Sequence, residues 1–266
     1  MYFMESPHEG ERVERKTDRA LTLDQLKFAG LVNGATVVDV GCAAGTTTRI
    51  LAEAVGPSGR VVGVDNSLSR LVEASAQTVG QNVSYRRGLV EHLPCRTAEF
   101  DFAWSRFLLE YVADQRRALD EMIRVVRPGG VVCLADLDGN GIWTEPLEAD
   151  LEAERTEAVA TLMRTGFDPH VGRKLYQMAC DADLQDVRVD VRPYNVMTGP
   201  VHDPHVRDRW ERKHSTIEQA LCRLGWDTGR AARLTERFRA RLDRPGTFSY
   251  SVLITVAGIK PPHQTP

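Results

Sequence analysis

The feature that most constrains the fold is an alternation. Short, β-branched, apolar runs occupy 37–40 (VVDV), 60–65 (RVVGVD), 82–87 (NVSYRR), 100–105 (FDFAWS) and 131–136 (VVCLAD). Between them lie TTTRILAEAV, SLSRLVEASAQTV and DQRRALDEMIRVV, which read as helices. Side chains of a strand alternate between two faces, so a run apolar at consecutive positions belongs in a sheet covered on both sides. In the third helical stretch Ala118, Met122, Val125 and Val126 recur at near-helical spacing. The breaks GPSGR and RPGG close these segments. Strands alternating with helices imply βαβ units with right-handed crossovers, and so a mostly parallel, doubly wound α/β sheet.

The second half is organised differently. Residues 145–164 and about 171–183 are predicted helices, and DVRVDVRPYNV (186–196) alternates as a strand. After TGPVHDPH come two arginine-rich helices, at about 205–224 and 228–243, and then TFSYSVLITVAGI (247–259), a long closing strand. The helices beyond a minimal sheet are expected to form cap insertions. The predicted division is a helical arm (1–35), a cofactor-binding core (36–137) and a segment (138–266) that completes the sheet and carries the cap, all in one domain. A length of 266 residues suits that size.

A net charge of -3 gives no bulk attraction to nucleic acid or acidic membranes, and neither partner is expected. Cys42, Cys95, Cys133, Cys180 and Cys222 are odd in number and without CxxC spacing, which points to reduced thiols and not to a disulfide framework or zinc. His202, His205 and His214 lack a partnering carboxylate pattern, so no metal is expected. The first residues carry acids and arginines where a leader would be apolar, and no apolar run approaches the ~18 residues of a membrane span. A cytoplasmic location is the expectation.

Chemistry is concentrated in VVDVGCAAGTTT (37–48). Ligands of doubly wound sheets bind outside the strand ends, beside the point where strand order reverses. Gly41, Ala43, Ala44 and Gly45 remove bulk there, so a ligand can approach the backbone and the next helix. The pattern is G-x-A-x-G, not the dinucleotide G-x-G-x-x-G. Asp65 ends the second strand, where an acid suits ribose hydroxyls. Asp39 adds a second negative charge, which disfavours a pyrophosphate and favours an ammonium or sulfonium group. The plainer alternative is a packing turn, with both acids serving as caps.

Together VVDVGCAAG, VVGVDNS, RGLVEHLP, FDFAWSRFLLEYV and EMIRVVRPGG, in this order, resemble the class I S-adenosylmethionine-dependent methyltransferases, nearest the ubiquinone/menaquinone-biosynthesis type. The resemblance is strong over about 35–137 and covers the remainder in outline. It implies a Rossmann-like, seven-stranded sheet whose last strand is antiparallel and inserted between strands five and six. It implies S-adenosylmethionine as cofactor and a small-molecule acceptor. Gly41, Cys42 and Ala43 would contact the amino-acid end with their backbone, Asp39 lying close by. Asp65 would hold the ribose with Asn66 and Ser67 beside it. Gly88, Leu89 and Val90 would flank the adenine, and Ser105 and Arg106 would line the methionine end. Two positions depart from the family pattern: Ala43 replaces a usual glycine, and Leu89 an acid that commonly accepts from the adenine amino group.

Methyl transfer needs a base only if the acceptor must lose a proton. Glu110 and His170 are the candidates, against plainer roles as a solvent-facing helix end and a capping residue. Arg173 is the candidate contact for an acidic acceptor. Competing readings are a nicotinamide-dependent oxidoreductase, since Asp65 also suits that ribose, and a cofactor-binding protein without catalysis. A homo-oligomer through the N-terminal arm or the cap is the expected assembly. The residues 1–20 and 139–220 are expected to carry acceptor specificity.

Overall fold

The computed structural model describes residues 17–79 and 82–262. Residues 1–16, which hold the first part of the predicted arm, lie outside the described residues. The elements run α1 (Arg19–Ala29), β1 (Thr36–Val40), α2 (Thr46–Val55), β2 (Arg60–Asp65), α3 (Leu68–Gln77), β3 (Val83–Arg87), β4 (Phe100–Arg106), α4 (Gln115–Val125) and β5 (Val126–Glu145). Then follow α5 (Ala149–Met163), α6 (Leu175–Asp181), β6 (Gln185–Thr198), α7 (Pro204–Arg223), α8 (Thr228–Ala240) and β7 (Phe248–Ile259).

The seven strands form one sheet in the order β3-β2-β1-β4-β5-β7-β6. The strands β1 to β5 are parallel where they pair, with Val38 opposite both Val62 and Ala103. The closing strand runs the other way. Lys260 exchanges backbone hydrogen bonds with Gly129 and Gly130 near the start of β5, whereas Ser249 donates to Thr144 near its end. The same reversal holds against β6, where Gly199 N donates to Thr247 O and Gly258 lies against Leu184. Mostly parallel strands with an antiparallel β7 between β5 and β6 are what the sequence led us to expect.

Strand order reverses between β1 and β4, so the crevice beyond the carboxyl end of β1 is the switch point of the sheet. The strand expected at 131–136 extends to Glu145. The twelve-residue β7 offers a hydrogen-bonding partner along this stretch, and Thr144 is buried against Ser249. For that reason α5 begins at Ala149 and not near 145.

Within the described residues the chain clusters into two compact units. The larger holds 17–136, Val171–Val191 and 254–262. Its core joins Val38, Val62, Ala103, Met122, Val132, Leu175 and Val256, with Trp104 fully buried. The Lys260 ammonium donates to Ile123 O and Val126 O at 2.8 and 2.9 Å, placing a cation on the carbonyl end of α4. Gln25 of α1 is buried and donates to Thr255 at 2.7 Å, which ties the helix to β7.

The smaller unit holds Leu137–His170 and Arg192–Leu253. Met197, Val201, Trp210 and Leu242 make a separate apolar cluster there. Asp203 and Asp227 cap α7 and α8 by accepting from His205 N and Arg230 N, both at 2.8 Å. Arg230 grips Glu157 with both terminal nitrogens, and Arg237 reaches Asp150 at 2.9 Å, so α8 is charge-paired to α5. The arginine-rich character of these helices is thereby absorbed by the unit itself.

Candidate cofactor site

The turn after β1 is built by backbone conformations that ordinary side chains avoid. Gly41, Ala43 and Gly45 all have positive φ, at 78°, 47° and 77°. A Cβ on Gly41 would lie 2.9 Å from the Leu108 side chain, and one on Gly45 would lie 2.4 Å from the Tyr85 hydroxyl. Both glycines are therefore required by conformation and by space.

The hydrogen bonds of the turn decide what it can hold. Gly41 N and Cys42 N both donate to Val64 O, at 2.8 and 3.1 Å. Ala43 N donates to Asp65 Oδ2 at 2.9 Å. The other carboxylate oxygen, Oδ1, accepts from Ser67 N, also at 2.9 Å. Asp65 thus staples the first turn to the start of α3, and half-buried, it retains lone pairs for further donors. The three N–H groups from 41 to 43 are turned back into the protein, so none is left for a phosphate. A dinucleotide turn must present such donors to its pyrophosphate.

Asp39 lies beneath, 2% exposed, and accepts from the Thr48 hydroxyl at 2.6 Å. Burial pushes its carboxyl up to about 7, the Thr48 bond opposes this, and the Asp65 charge adds to it. Burial and the same two acids drive the Cys42 thiol far upward, so it stays protonated and is no nucleophile. The charge complement of this turn is a cation.

On the β2–β3 side, Asn66 is exposed and its carbonyl accepts from Arg87 at 3.1 Å. Gly88 N donates to Asp65 O at 3.0 Å, and a Cβ on Gly88 would meet Pro94 at 2.4 Å. Leu89 is 56% exposed, while Val90 packs against the core. Ser105 and Arg106 are buried at the end of β4, and the Arg106 guanidinium stacks 4.4 Å over the Phe107 ring.

Glu110 is not a solvent-facing helix end. It sits in the 3-10 turn Leu109–Tyr111, fully buried, and its N–H donates to Asp136 Oδ2 at 3.2 Å. A charged residue within an otherwise apolar turn carries no signal of burial until β5 brings Asp136 beside it. Arg173 is exposed in the 3-10 turn Gly172–Lys174. In the smaller unit, the backbone N–H of His170 donates to the Asp168 carboxylate at 3.0 Å, so the capping side chain is Asp168 and not the imidazole. Its ring Nδ1 lies 3.8 Å from Asp138 Oδ1, so the imidazole also faces a carboxylate.

Among the roles missed in the sequence were Thr48 as the partner of Asp39, Tyr85 and Leu108 as walls of the turn, and Asp136 and Asp138 as neighbours of the two base candidates. Thr48 was legible in principle, because a hydroxyl one helical turn into α2 faces back toward the strand end. Among the described residues, no group of three or more His, Cys, Asp or Glu gathers as a metal site, and no helix is long and apolar enough to cross a membrane.

A doubly wound sheet with an inserted antiparallel strand, and a glycine turn stapled to a strand-end acid, give the chain a Rossmann-like, methyltransferase-type architecture. Residues 38–134 match the family model described as a methyltransferase domain. The chain is 32% identical over 200 residues to the demethylmenaquinone methyltransferase of Geobacillus sp. (strain WCH70), covering 69% of this chain and 84% of that protein. It is 32% identical over 130 residues to the arsenite methyltransferase of Halobacterium salinarum, covering 48% and 32%. A Haemonchus contortus phosphoethanolamine N-methyltransferase 2 solved with S-adenosylhomocysteine shares the fold, with a TM-score of 0.57 at 18% identity, over 91% of this chain and 52% of that one. The protein belongs to the class I S-adenosylmethionine-dependent methyltransferases. The chain spans less than half the length of two of the curated relatives it matches.

Proposed function

We propose that this protein transfers a methyl group from S-adenosylmethionine to a small-molecule acceptor by in-line displacement. The observation that carries the reading is the turn of 41–43, whose N–H groups are spent on Val64 O and Asp65 and whose nearest acids are Asp65 and, beneath it, Asp39, which burial holds toward its neutral form. Such a turn repels a pyrophosphate and suits the ammonium and sulfonium of this cofactor. That weighs against the nicotinamide alternative.

S-adenosylmethionine supplies a methyl already activated on a sulfonium. The protein's task is therefore to bind, orient and keep water out. In this assignment Gly41, Cys42 and Ala43 hold the amino-acid end through backbone carbonyl oxygens, which accept from its ammonium, and Asp65 accepts from the ribose hydroxyls beside Asn66 and Ser67. Gly88, Leu89 and Val90 pack on the adenine. With Leu89 in place of an acid, adenine selection rests on packing and backbone. Ser105 and Arg106 line the methionine end. Glu110 and His170 are the proposed bases where the acceptor must lose a proton, and Arg173 the proposed contact for an acidic one.

Relatives named for arsenite and for demethylmenaquinone indicate that this scaffold serves chemically unlike small acceptors. We assign the choice among them to 1–20 and 139–220, outside the shared motifs. The test is calorimetry with S-adenosylhomocysteine and with NAD, followed by mass spectrometry of a metabolite extract incubated with enzyme and methyl-labelled cofactor. Binding of S-adenosylhomocysteine and label on a small molecule are expected. Binding of NAD alone would establish the oxidoreductase reading, and cofactor binding without turnover in any extract would leave a non-catalytic binder. Hydrogen exchange slowed in 1–20 and 139–220 on adding acceptor, beyond the effect of cofactor, would place specificity there; protection confined to 41–106 would refute it.

A further inference from the structure

The strand β6 is an edge of the sheet, with β7 as its one neighbour among the described residues. At fourteen residues it is long for an exposed edge, and such edges tend to recruit another strand unless they are blunted. Its first half reads Asp186-Val187-Arg188-Val189-Asp190-Val191-Arg192, with valine at every second position and acid and arginine alternating between them. Val187 packs against the core, and Arg188 lies 5.6 Å over the Phe28 ring and donates to Ala29 O, so the two sets occupy opposite faces. Along the valine face, Val189 and Val191 remain 41% and 60% exposed.

This order is self-complementary. In an antiparallel pair, residues directly opposite share a face, so two copies of one strand must pair about a residue and not between residues. Centring on Arg188 or Asp190 sets like charges against each other. Centring on Val189 sets Arg188 opposite Asp190 and Val187 opposite Val191, twice each by symmetry. Centring on Val187 needs Asp186, which has a positive φ, and centring on Val191 sets Val189 against Pro193, so neither completes the ladder. Regular pairing is bounded on both sides, by Asp186 and Asn195, each with a positive φ of 50°, and by Pro193, which has no N–H to give.

We infer that two copies of this chain associate through β6, antiparallel about Val189, into one continuous sheet across a twofold axis. The contact is isologous, as a twofold dimer requires. A ladder of five residues, 187–191, is smaller than a standard interface, so the dimer is reversible and concentration-dependent. None of these residues belongs to the cofactor site.

Sedimentation velocity of the full chain, from about micromolar to about millimolar, tests it. A monomer–dimer equilibrium is expected. Asp190→Arg sets arginine against Arg188 at two places per dimer and is expected to raise the dissociation constant about tenfold or more. Val189→Lys, which opposes two ammonium groups at the axis, is expected to do the same. The charge swap R188D/D190R restores complementarity and is expected to recover dimerisation. Thermal melts confirm that each variant is folded, and if the swap proves unstable the two single variants decide. A monomer throughout the range, or an equally tight dimer in both single variants, overturns the inference, the latter by locating the contact elsewhere.

Discussion

The buried carboxyl of Asp39 makes a quantitative demand on stability. Its pKa in the folded chain is about 7, against an ordinary 3.8, because burial disfavours the charge and Asp65 repels it. The folded state therefore holds this proton more tightly than the unfolded chain does. The corresponding stability is complete below about pH 4 and is lost as the pH rises to about 7, a total of about 4 kcal/mol at about 1.4 kcal/mol per unit. Roughly 3 kcal/mol of it falls between about pH 5 and pH 8. His214 runs the other way. Burial first, then Lys213 and Arg239, hold its imidazole down to about 3, so its stability is full above about 6.5 and lost as the pH falls. The native profile mixes both, and only a difference isolates Asp39. Asp39→Asn cannot ionise. Its amide oxygen can still accept from Thr48, whereas its amide nitrogen needs a partner and adds a cost of about 1–3 kcal/mol that does not vary with pH. Urea unfolding of both proteins at intervals from pH 5 to pH 8 reads the slope and ignores that constant. The variant is expected to gain on the native chain by about 3 kcal/mol across the window. Parallel profiles would show that Asp39 ionises normally, and the account of a buried carboxyl that holds its proton would fail.

Asp65→Ala is expected to weaken S-adenosylhomocysteine binding by about 1–3 kcal/mol, the scale of hydrogen bonds to a charged group; unchanged affinity by calorimetry would sink the ribose assignment. Gly41→Val places a branched side chain at a φ of 78° and against Leu108, so cofactor binding should be abolished, and normal affinity in a folded variant would contradict it. Replacing His214 by Phe, beside Trp210 and Phe238, should remove stability loss below about pH 6.5, about 2 kcal/mol between pH 7 and pH 5; an acid limb identical to that of the native chain would refute its buried, neutral state.

The sequence by itself determined the sheet and the location of the turn. Runs such as VVDV and RVVGVD can be satisfied only between two covered faces, and GCAAG leaves room only for backbone. These are local properties, of period and of side-chain size, and a linear chain displays them. The extent of β5 was not among them, because DLDGNGIWTE becomes strand only where β7 runs alongside. Nor was the burial of Glu110, set by β5 carrying Asp136 next to a 3-10 turn 26 residues away. The polarity of the cofactor turn was legible in Asp39 and Asp65, but its strongest feature was not. That Gly41, Cys42 and Ala43 direct their N–H groups to the end of β2, away from any phosphate, depends on β1 and β2 lying side by side. Hydrogen-bond partners distant in sequence are chosen by packing, and only the folded chain makes that choice.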